Sequence, residues 1–381
     1  MRKLLLIVTI LILGLLIWQY KETLFSNKNR ETLFSDENKT SIQTGSKLTA
    51  QSSGESRVNL SNTKIIAENL EVPWALVFLP DRSLLVTQRT GQILLFSEDG
   101  SAKEVIAILD DVLVSGEGGL LGITIHSDFR VNNYIYLYYT YSSTQANTLN
   151  RVVRYKFSDK KLRDRTIIVD DIPGASNHNG GRLKFGPDRF LYITTGDAQN
   201  PSLAQDKNSL AGKILRVTDE GKAPLDNPFG NLVYSYGHRN AQGLAWDQNN
   251  QLWATEHGPS AQDELNKIEK GGNFGWPEIT GDEQKVGMVS PVIQSGLDTW
   301  APAGLLYSGG VFYFAGLRGQ ALYSFNPATG ELDNYFKNQF GRIREAVLGP
   351  DNKIYLSTSN RDGRAIPKQG DDKIIKIYQS Q

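Results

Sequence analysis

Cysteine is absent from this chain of 381 residues, and neither sign of charge is in excess. The absence of cysteine excludes disulfides, thiol catalysis and cysteine-bound zinc or iron-sulfur sites, so any metal would be bound by oxygen or imidazole ligands. The 41 Lys and Arg residues balance 41 Asp and Glu residues, which gives no reason to expect a nucleic-acid partner. Long stretches of helical periodicity are also missing, and this disfavours a helical fold.

The longest hydrophobic run lies at the N-terminus. Arg2 and Lys3 precede an apolar run from Leu4 to Trp18, which is the pattern of an export signal. The run is shorter than the roughly 20 residues of a relaxed membrane span. No small-residue cleavage site follows closely, so residues 1–19 are predicted to be either a cleaved signal peptide or a signal-anchor.

The segment that follows, residues 20–58, is rich in Ser, Asn, Thr, Lys and Glu and is too polar to bury a core. We predict a flexible tether. The rest of the chain is predicted to be exported to the periplasm or another extracytoplasmic space. Contact with a membrane is expected only through the N-terminal segment.

A strand-turn-strand pattern recurs along the remainder of the chain. Each copy has an alternating strand, a turn built on aspartate and a second strand of large β-formers, as in "LKFGPDRFLYITTGD" and "AVLGPDNKIYLSTSN". Consecutive turns are separated by 47, 60, 59 and 104 residues, and a weaker copy from Gly309 divides the last interval. The turn aspartates are Asp81, Asp128, Asp188, Asp247 and Asp351.

Six such units are typical of a propeller whose blades have four strands. We therefore predict an all-β fold, a single six-bladed β-propeller of four-stranded antiparallel blades over residues 59–381. The alternative, an array of β-sandwiches, would not ordinarily repeat one signature at this period. Because a propeller gathers its loops at the mouth of a central channel, functional residues are expected at equivalent edges of different blades.

Polar residues recur at such blade edges. His178 in "SNHNGGRL" directly precedes a predicted strand, where it could act as a general base or merely cap a turn. Arg239 and Asn240 in "GHRNAQGLAW" hold the same place before the next blade, and Asp197 follows a strand in "ITTGDAQ". This recurrence favours a functional site at the channel mouth.

An arginine pair points to an anionic ligand. Arg342 and Arg344 in "GRIRE" are two residues apart and so share one face of a strand. With Arg239 and Arg318 in other blades, they would suit a ligand with several carboxylates or phosphates, because the guanidinium fork binds such groups and stays charged. The alternative is a set of surface arginines paired with local Asp or Glu.

Other aromatic residues have structural interpretations. Trp74, Trp246 and Trp253 fall within repeat strands and are predicted to pack in the blades, as is Trp300 unless it contacts a ligand. We also expect structural roles for two histidines, His126 and His257.

Together these motifs resemble the soluble quinoprotein glucose/sorbosone dehydrogenase family, also called aldose sugar dehydrogenases. The motifs "GEGGLLGI", "NHNGGRLKFGPD", "TTGDA", "GHRNAQGLAWD", "EHGP…DELN…GGNFGWP" and "GRIRE" follow the family's order across the propeller. The resemblance implies that the protein uses pyrroloquinoline quinone (PQQ) and Ca²⁺.

The resemblance also implies roles for individual residues. His178 matches the family's general base, and Asp197 matches the carboxylate that orients it. Arg239 and Asn240 match residues at the reactive carbonyl of the quinone.

Further matches concern the binding of cofactor and metal. Arg342 and Arg344 match the arginines that bind the carboxylates of PQQ. Gly258 and Pro259 match the pair whose backbone carbonyls bind calcium, a cation that prefers oxygen ligands.

Two positions depart from the family pattern. Glu117 stands where the family commonly has glutamine, and it adds a negative charge beside the histidine and the anionic cofactor. Arg318 stands where the family commonly has lysine, which keeps the charge but changes the contact geometry. Both residues are still predicted to contact the cofactor.

The resemblance, together with the placement of these residues at blade edges, thus implies an enzyme that oxidises aldose sugars at C1 with PQQ and Ca²⁺. Its expected partners are a small sugar substrate and an electron acceptor that the sequence does not identify, and it is expected to be a monomer or a homodimer. One alternative is a calcium-dependent lactonase-type propeller hydrolase, which would need acidic and Asn ligands but no Arg-x-Arg pair. The other is a non-enzymatic binding propeller, which would need neither His178 nor the carbonyls of Gly258 and Pro259.

Overall fold

The computed structural model describes residue 60, residues 62–142 and residues 148–378. The predicted signal segment (1–19) and tether (20–58) lie outside the described residues. Six four-stranded antiparallel sheets form from the described part of the chain, and they confirm the predicted six-bladed β-propeller. No helix within these residues combines the length and the apolar character needed to cross a membrane.

The strands follow one another in chain order within each blade. Strand β1 spans Asn62–Ala67. Blade 1 contains β2 (Pro73–Phe78), β3 (Leu84–Gln88), β4 (Gln92–Phe96) and β5 (Lys103–Ile108). Blade 2 contains β6 (Leu120–Ile125), β7 (Tyr134–Ser142), β8 (Thr148–Ser158) and β9 (Lys161–Pro173), with a single helical turn, α1 (Phe129–Asn132), after β6. Blade 3 contains β10 (Leu183–Phe185), β11 (Leu191–Thr194), β12 (Lys213–Val217) and β13 (Val233–Tyr236), with α2 (Ser202–Gln205) after β11.

The remaining blades complete the ring. Blade 4 contains β14 (Ala241–Trp246), β15 (Leu252–Glu256), β16 (Glu264–Lys267) and β17 (Ile293–Gln294). Blade 5 contains β18 (Pro302–Ser308), β19 (Val311–Gly316), β20 (Ala321–Asn326) and β21 (Glu331–Tyr335). Blade 6 contains β22 (Ile343–Leu348), β23 (Ile354–Thr358) and β24 (Ile374–Tyr378). Its fourth strand is β1, which pairs with β24 and joins the two ends of the propeller.

Four of the five predicted turn aspartates, Asp81, Asp188, Asp247 and Asp351, close their turns by accepting the backbone amide two residues later. Asp128 of blade 2 does not; it precedes the helical turn α1 and pairs with Arg189. The carboxylate of Asp247 accepts hydrogen bonds from the amides of Asn249 (2.8 Å) and Gln251 (3.0 Å), so the side chain itself closes the turn. Its second oxygen accepts a bond from the indole of Trp253 at 3.2 Å. Tyr192 donates in the same way to the turn aspartate of its own blade. In these blades the aromatic residue of the second strand therefore forms part of the turn.

Blade 5 lacks this turn. Its first two strands are joined at Ser308 and Val311, which pair across a Gly309-Gly310 hairpin. Both glycines have positive φ (60° and 84°), as a two-residue hairpin requires. The weaker sequence copy from Gly309 therefore begins one strand later in its blade than the other copies.

The antiparallel blades bring two sets of loops to one face of the propeller. The start of each first strand and the end of each second strand lie at the same end of the blade, because these strands run in opposite directions. The loops before β6, β10, β14 and β22 therefore meet the loops after β11, β15, β19 and β23. We call this end of the propeller the upper face.

Candidate active site

Every predicted site residue lies on the upper face. Four of them, Glu117, Arg318, Arg342 and Arg344, line a cavity of about 380 Å³ at the mouth of the channel. Arg239, Gly258 and Pro259 line a smaller adjoining pocket, and His257 lines both. The complete lining of the larger cavity is Trp74, Glu117, Leu121, Asn179, Gly180, Gln242, His257, Ala301, Leu317, Arg318, Arg342, Arg344 and Arg364.

His178 and Asp197 form a direct pair between the loop before β10 and the loop after β11. Nδ1 of His178 lies 2.7 Å from Oδ1 of Asp197. Their close approach depends on Gly196, where a Cβ atom would lie 1.9 Å from the carbonyl oxygen of His178. His178 itself has a φ of 60°, in the left-handed region that few non-glycine residues adopt. The loop is therefore shaped to hold this imidazole against the carboxylate.

Asp197 is held rigidly from its other side. Its side chain is only 1% exposed, and its Oδ2 accepts a hydrogen bond from the indole nitrogen of Trp276 at 2.8 Å. The amide of Gln199 donates to Oδ1 at 2.9 Å. An ionised carboxylate only accepts hydrogen bonds, so His178 must donate from Nδ1. Its Nε2 is then an acceptor of protons, as a general base requires.

The predicted Arg239 and Asn240 lie beside this pair but have different environments. Asn240 is 1% exposed, and its Oδ1 accepts a bond from the amide of Gly180 at 3.0 Å, so it ties the histidine loop to blade 4. Arg239 donates from Nη1 to the carbonyl oxygen of His257 at 3.3 Å and lies over the ring of Trp276. Its Nε is buried and has no hydrogen-bond partner among the described residues. This unpaired donor suits an anionic ligand.

The arginine pair of blade 6 shares one carboxylate. Asp362 accepts bonds from Nε and Nη2 of Arg342 at 2.9 and 2.8 Å, and Nη2 of Arg344 lies 3.9 Å away. Arg344 also donates to Gln242 at 2.8 Å, yet its Nε is buried without a partner in the described part of the chain. Burial lowers the pKa of Arg344 to about 10, which leaves it charged at neutral pH. One carboxylate therefore does not neutralise the pair.

The cationic side of the cavity extends further. Arg318, in the loop after β19, is exposed and lines the same cavity. An excess of guanidinium groups over carboxylates, together with buried unpaired donors, fits a ligand that carries several carboxylates. The residues present therefore fit PQQ as the sequence predicted it.

Glu117 is paired on both of its oxygens. Its Oε1 lies 3.0 Å from Nη2 of Arg364, and its Oε2 accepts a hydrogen bond from the backbone amide of His178 at 3.1 Å. Burial disfavours the charged form, but His257, Arg364, the hydrogen bond from the His178 amide and Arg344 together lower the pKa of Glu117 below its usual value. The additional negative charge thus has a cationic partner in this chain.

The predicted calcium ligands lie in a fixed turn. The amide of Gly258 donates to Oδ1 of Asp263 at 3.0 Å, and Asp263 is 3% exposed. Its Oδ2 accepts bonds from the amides of Trp300 (2.7 Å) and Ala301 (2.8 Å). No group of three or more His, Cys, Asp or Glu side chains that could hold a metal occurs in the described ranges. A cation at this turn would rely on backbone carbonyls and ligand oxygens, which suits calcium.

Three functional candidates were missed by sequence reasoning: Trp276, Asp362 and Arg364. Each comes from a long loop, where neither strand periodicity nor blade position indicates a side-chain direction. The sequence also assigned His257 a purely structural role. The structure instead places it on the cavity wall, where burial lowers its pKa to about 4 and its Nε2 has no partner among the described residues.

The remaining predictions for aromatic residues differ in outcome. Trp74 is 2% exposed, as expected of a blade residue, but it also lines the cavity, with the guanidinium of Arg344 at 5.7 Å from its ring centre. Trp300 packs against Phe314 and Tyr323 at 5.2 and 5.7 Å between ring centres. Packing therefore accounts for Trp300.

Comparisons with known proteins agree with this geometry. The family model described as Glucose / Sorbosone dehydrogenase matches residues 70–367. The chain is 31% identical over 340 residues to aldose sugar dehydrogenase YliI of Escherichia coli (strain K12), covering 80% of this chain and 92% of the relative. It is 35% identical over 267 residues to quinoprotein glucose dehydrogenase B of Acinetobacter calcoaceticus, covering 61% and 56% of the two chains.

A solved structure of similar architecture comes from Streptomyces coelicolor. It is the PQQ-bound form of an aldose sugar dehydrogenase, with a TM-score of 0.79 and 38% sequence identity. The match covers 84% of this chain and 99% of the other. The chain described here therefore belongs to the glucose/sorbosone dehydrogenase family, a family of oxidoreductases, as its motifs predicted.

Proposed function

We propose that this protein oxidises aldose sugars at C1 to lactones, with PQQ and Ca²⁺ as cofactors. The observation that carries the proposal is the His178–Asp197 pair, which lies on the same face of the propeller as a cavity rich in arginine. A base and an anion-binding surface are the two elements that this reaction needs from the protein. The PQQ-bound relative and the quinoprotein relative support the choice of cofactor.

The chain's own contribution to the chemistry centres on His178. Asp197 fixes the tautomer of the imidazole, so that Nε2 accepts the proton of the sugar's C1 hydroxyl. Asp197 also stabilises the imidazolium that results, because its buried carboxylate accepts hydrogen bonds from His178, Gln199 and Trp276. Bound PQQ and calcium would supply a hydride acceptor and a Lewis acid.

Other residues would bind the cofactors. Arg318, Arg342 and Arg344 would pair with the carboxylates of PQQ, and Arg239 would lie beside its reactive carbonyl. The carbonyl oxygens of Gly258 and Pro259 would hold calcium, since Asp263 keeps their turn in place. These assignments follow the family resemblance and agree with the charges in the cavity.

The two alternative functions fit the cavity less well. A calcium-dependent hydrolase would need several acidic or Asn side chains around a metal. The lining of this cavity has four arginines but only Glu117, which is paired with Arg364, and Asn179, whose Oδ1 accepts bonds from Asn150 and Ala175. A binding propeller would not need a histidine held by a buried carboxylate. The observed residues therefore favour the dehydrogenase.

A reconstitution experiment tests the proposal. The purified protein would be loaded with PQQ and Ca²⁺, supplied with glucose or another aldose, and followed by reduction of a dye acceptor and by chromatography of the product. We expect dye reduction and a lactone product that depend on both cofactors. Absence of turnover with every aldose, in protein that has bound PQQ, would contradict the proposal.

A further inference from the structure

The ion pair between Glu117 and Arg364 links three loops at the cavity mouth. Glu117 precedes β6, Arg364 follows β23, and the loop of His178 precedes β10. Nη2 of Arg364 lies 3.0 Å from Oε1 of Glu117 and 2.9 Å from Oδ1 of Asn177, the residue before His178. Oε2 of Glu117 in turn accepts the amide of His178. The guanidinium of Arg364 therefore contacts Asn177 directly and His178 through Glu117.

We propose that Arg364 is a positioning residue of the active site, which balances the charge of Glu117 and holds the loop that carries His178. The part of this proposal that concerns cofactor affinity and turnover rests on the proposed function. The part that concerns the loop does not, because it is a property of the protein without ligands.

The charge of the pair matters because of what surrounds it. Glu117 and Arg364 line the same cavity as Arg342 and Arg344. Without Arg364, the carboxylate of Glu117 would repel an anionic ligand at this wall of the cavity. It would also compete with the ligand for the arginines that should bind the ligand. With Arg364 in place, the pair is close to neutral and the remaining arginines are available to the ligand.

The network also reaches the arginine pair of blade 6. The backbone amide of Arg364 donates to Oδ1 of Asp362 at 2.9 Å, and Oδ2 of Asp362 accepts both bonds from Arg342. The predicted base and the predicted carboxylate-binding arginines are therefore connected through one loop, residues 359–373. Arg364 is the member of that loop that reaches the histidine side of the cavity.

Neutralising each member of the ion pair, separately and together, tests the proposal. Arg364→Gln, Glu117→Gln and the double variant would be made in the full chain, and PQQ affinity would be measured by titration in the presence of Ca²⁺. We expect Arg364→Gln to weaken PQQ binding about tenfold, and the double variant to return to within about threefold of the wild type. Glu117→Gln alone should bind PQQ at least as tightly as the wild type, because it removes a negative charge from the cavity.

A matched variant separates this role from a general loss of positive charge. Arg318 lines the same cavity, but no ion pair joins it to Glu117 in the described structure. Arg318→Gln should also weaken PQQ binding, and adding Glu117→Gln should not restore it beyond the effect of Glu117→Gln alone. If Arg364→Gln is unaffected by the second change, Arg364 contacts the cofactor directly and the proposal is wrong.

A readout without cofactor tests the loop itself. Hydrogen exchange of the His178 amide in the ligand-free protein should quicken about tenfold in Arg364→Gln, and turnover should then show a lower kcat with an unchanged KM for the sugar. Unchanged exchange in Arg364→Gln would overturn the positioning role. Faster exchange in a protein whose wild type binds no PQQ would support the positioning role and reject the proposed function, so the two failures can be told apart.

Discussion

Replacing Asp197 with Asn tests how the protein makes His178 a base. The substitution keeps the size of the side chain and removes its charge, which lies in a group only 1% exposed. The amide oxygen can still accept from His178 and Gln199, but its NH₂ group then faces the indole N–H of Trp276. The variant therefore loses a charge and places two hydrogen-bond donors, the Asn amide and the Trp276 indole, against each other without an acceptor.

The size of the effect follows from the distances. A carboxylate and an imidazolium centred about 4 Å apart interact by about 4 kcal/mol at an effective dielectric near 20. Because the imidazolium forms only as the sugar is deprotonated, this interaction acts on the barrier, and about 4 kcal/mol corresponds to roughly a thousandfold in rate. We expect Asp197→Asn to lower kcat by about 10³-fold and to leave PQQ affinity nearly unchanged.

Stopped-flow reduction of PQQ-loaded protein by glucose would measure this effect. Trp276→Phe is the matched control, because it removes one donor to Asp197 and keeps the charge; we expect a loss of about tenfold, the order of one hydrogen bond to a charged group. A loss of less than about threefold in Asp197→Asn would refute the electrostatic role of this carboxylate.

Three further predictions concern binding, metal and pH. Arg344→Ala should weaken PQQ binding by at least about tenfold in calorimetric titration, because Arg344 keeps a buried donor for the ligand; an unchanged Kd would exclude it from the binding surface. Removal of calcium with a chelator should abolish turnover, and Ca²⁺ should restore it better than Mg²⁺, since the smaller ion demands stricter geometry and keeps its water; full activity in chelator would show that no such metal is needed. Burial, with Glu256 nearby, raises the pKa of Glu264 from 4.5 to about 8. The unfolded chain then releases this proton at a lower pH than the folded protein does, so the stability of the ligand-free protein should fall as pH rises from 4.5 to about 8. In Glu264→Gln, this part of the decrease of Tm with pH should be missing from thermal melts. Parallel pH profiles of Tm in the two proteins would contradict this assignment.

Much of the fold could be predicted because its repeat is local. In four of the five predicted turns the aspartate closes the turn through its own side chain, and in three of them an aromatic residue of the next strand bonds to that aspartate, as Asp247 and Trp253 show. Such a unit is visible within a short stretch of sequence. In blade 5 the predicted copy of the repeat began one strand too late, because a glycine hairpin replaces the aspartate turn. The pairing of β1 with β24 joins the two ends of the chain, and no local pattern could indicate it.

The site divides in a similar way. His178 and the arginines of "GRIRE" lie next to blade strands, so their position in the repeat indicated the face on which they lie. Trp276 and Arg364 come from long loops, and their directions depend on contacts with residues distant in sequence. Glu117 stood out in the sequence as an unexplained charge, and only the folded structure brings Arg364 to it.

The most direct test of the central claim is single-turnover reduction of PQQ in the wild type and in His178→Ala. We expect both proteins to bind PQQ with Ca²⁺ at one molecule per chain. The residues expected to bind the carboxylates of PQQ are arginines, and His178→Ala leaves them unchanged. Reduction by glucose should be slower in His178→Ala by about 10²- to 10⁴-fold, the range of general-base catalysis. Equal rates of quinone reduction in the two proteins would contradict the claim that the protein uses His178 as the base that oxidises the sugar.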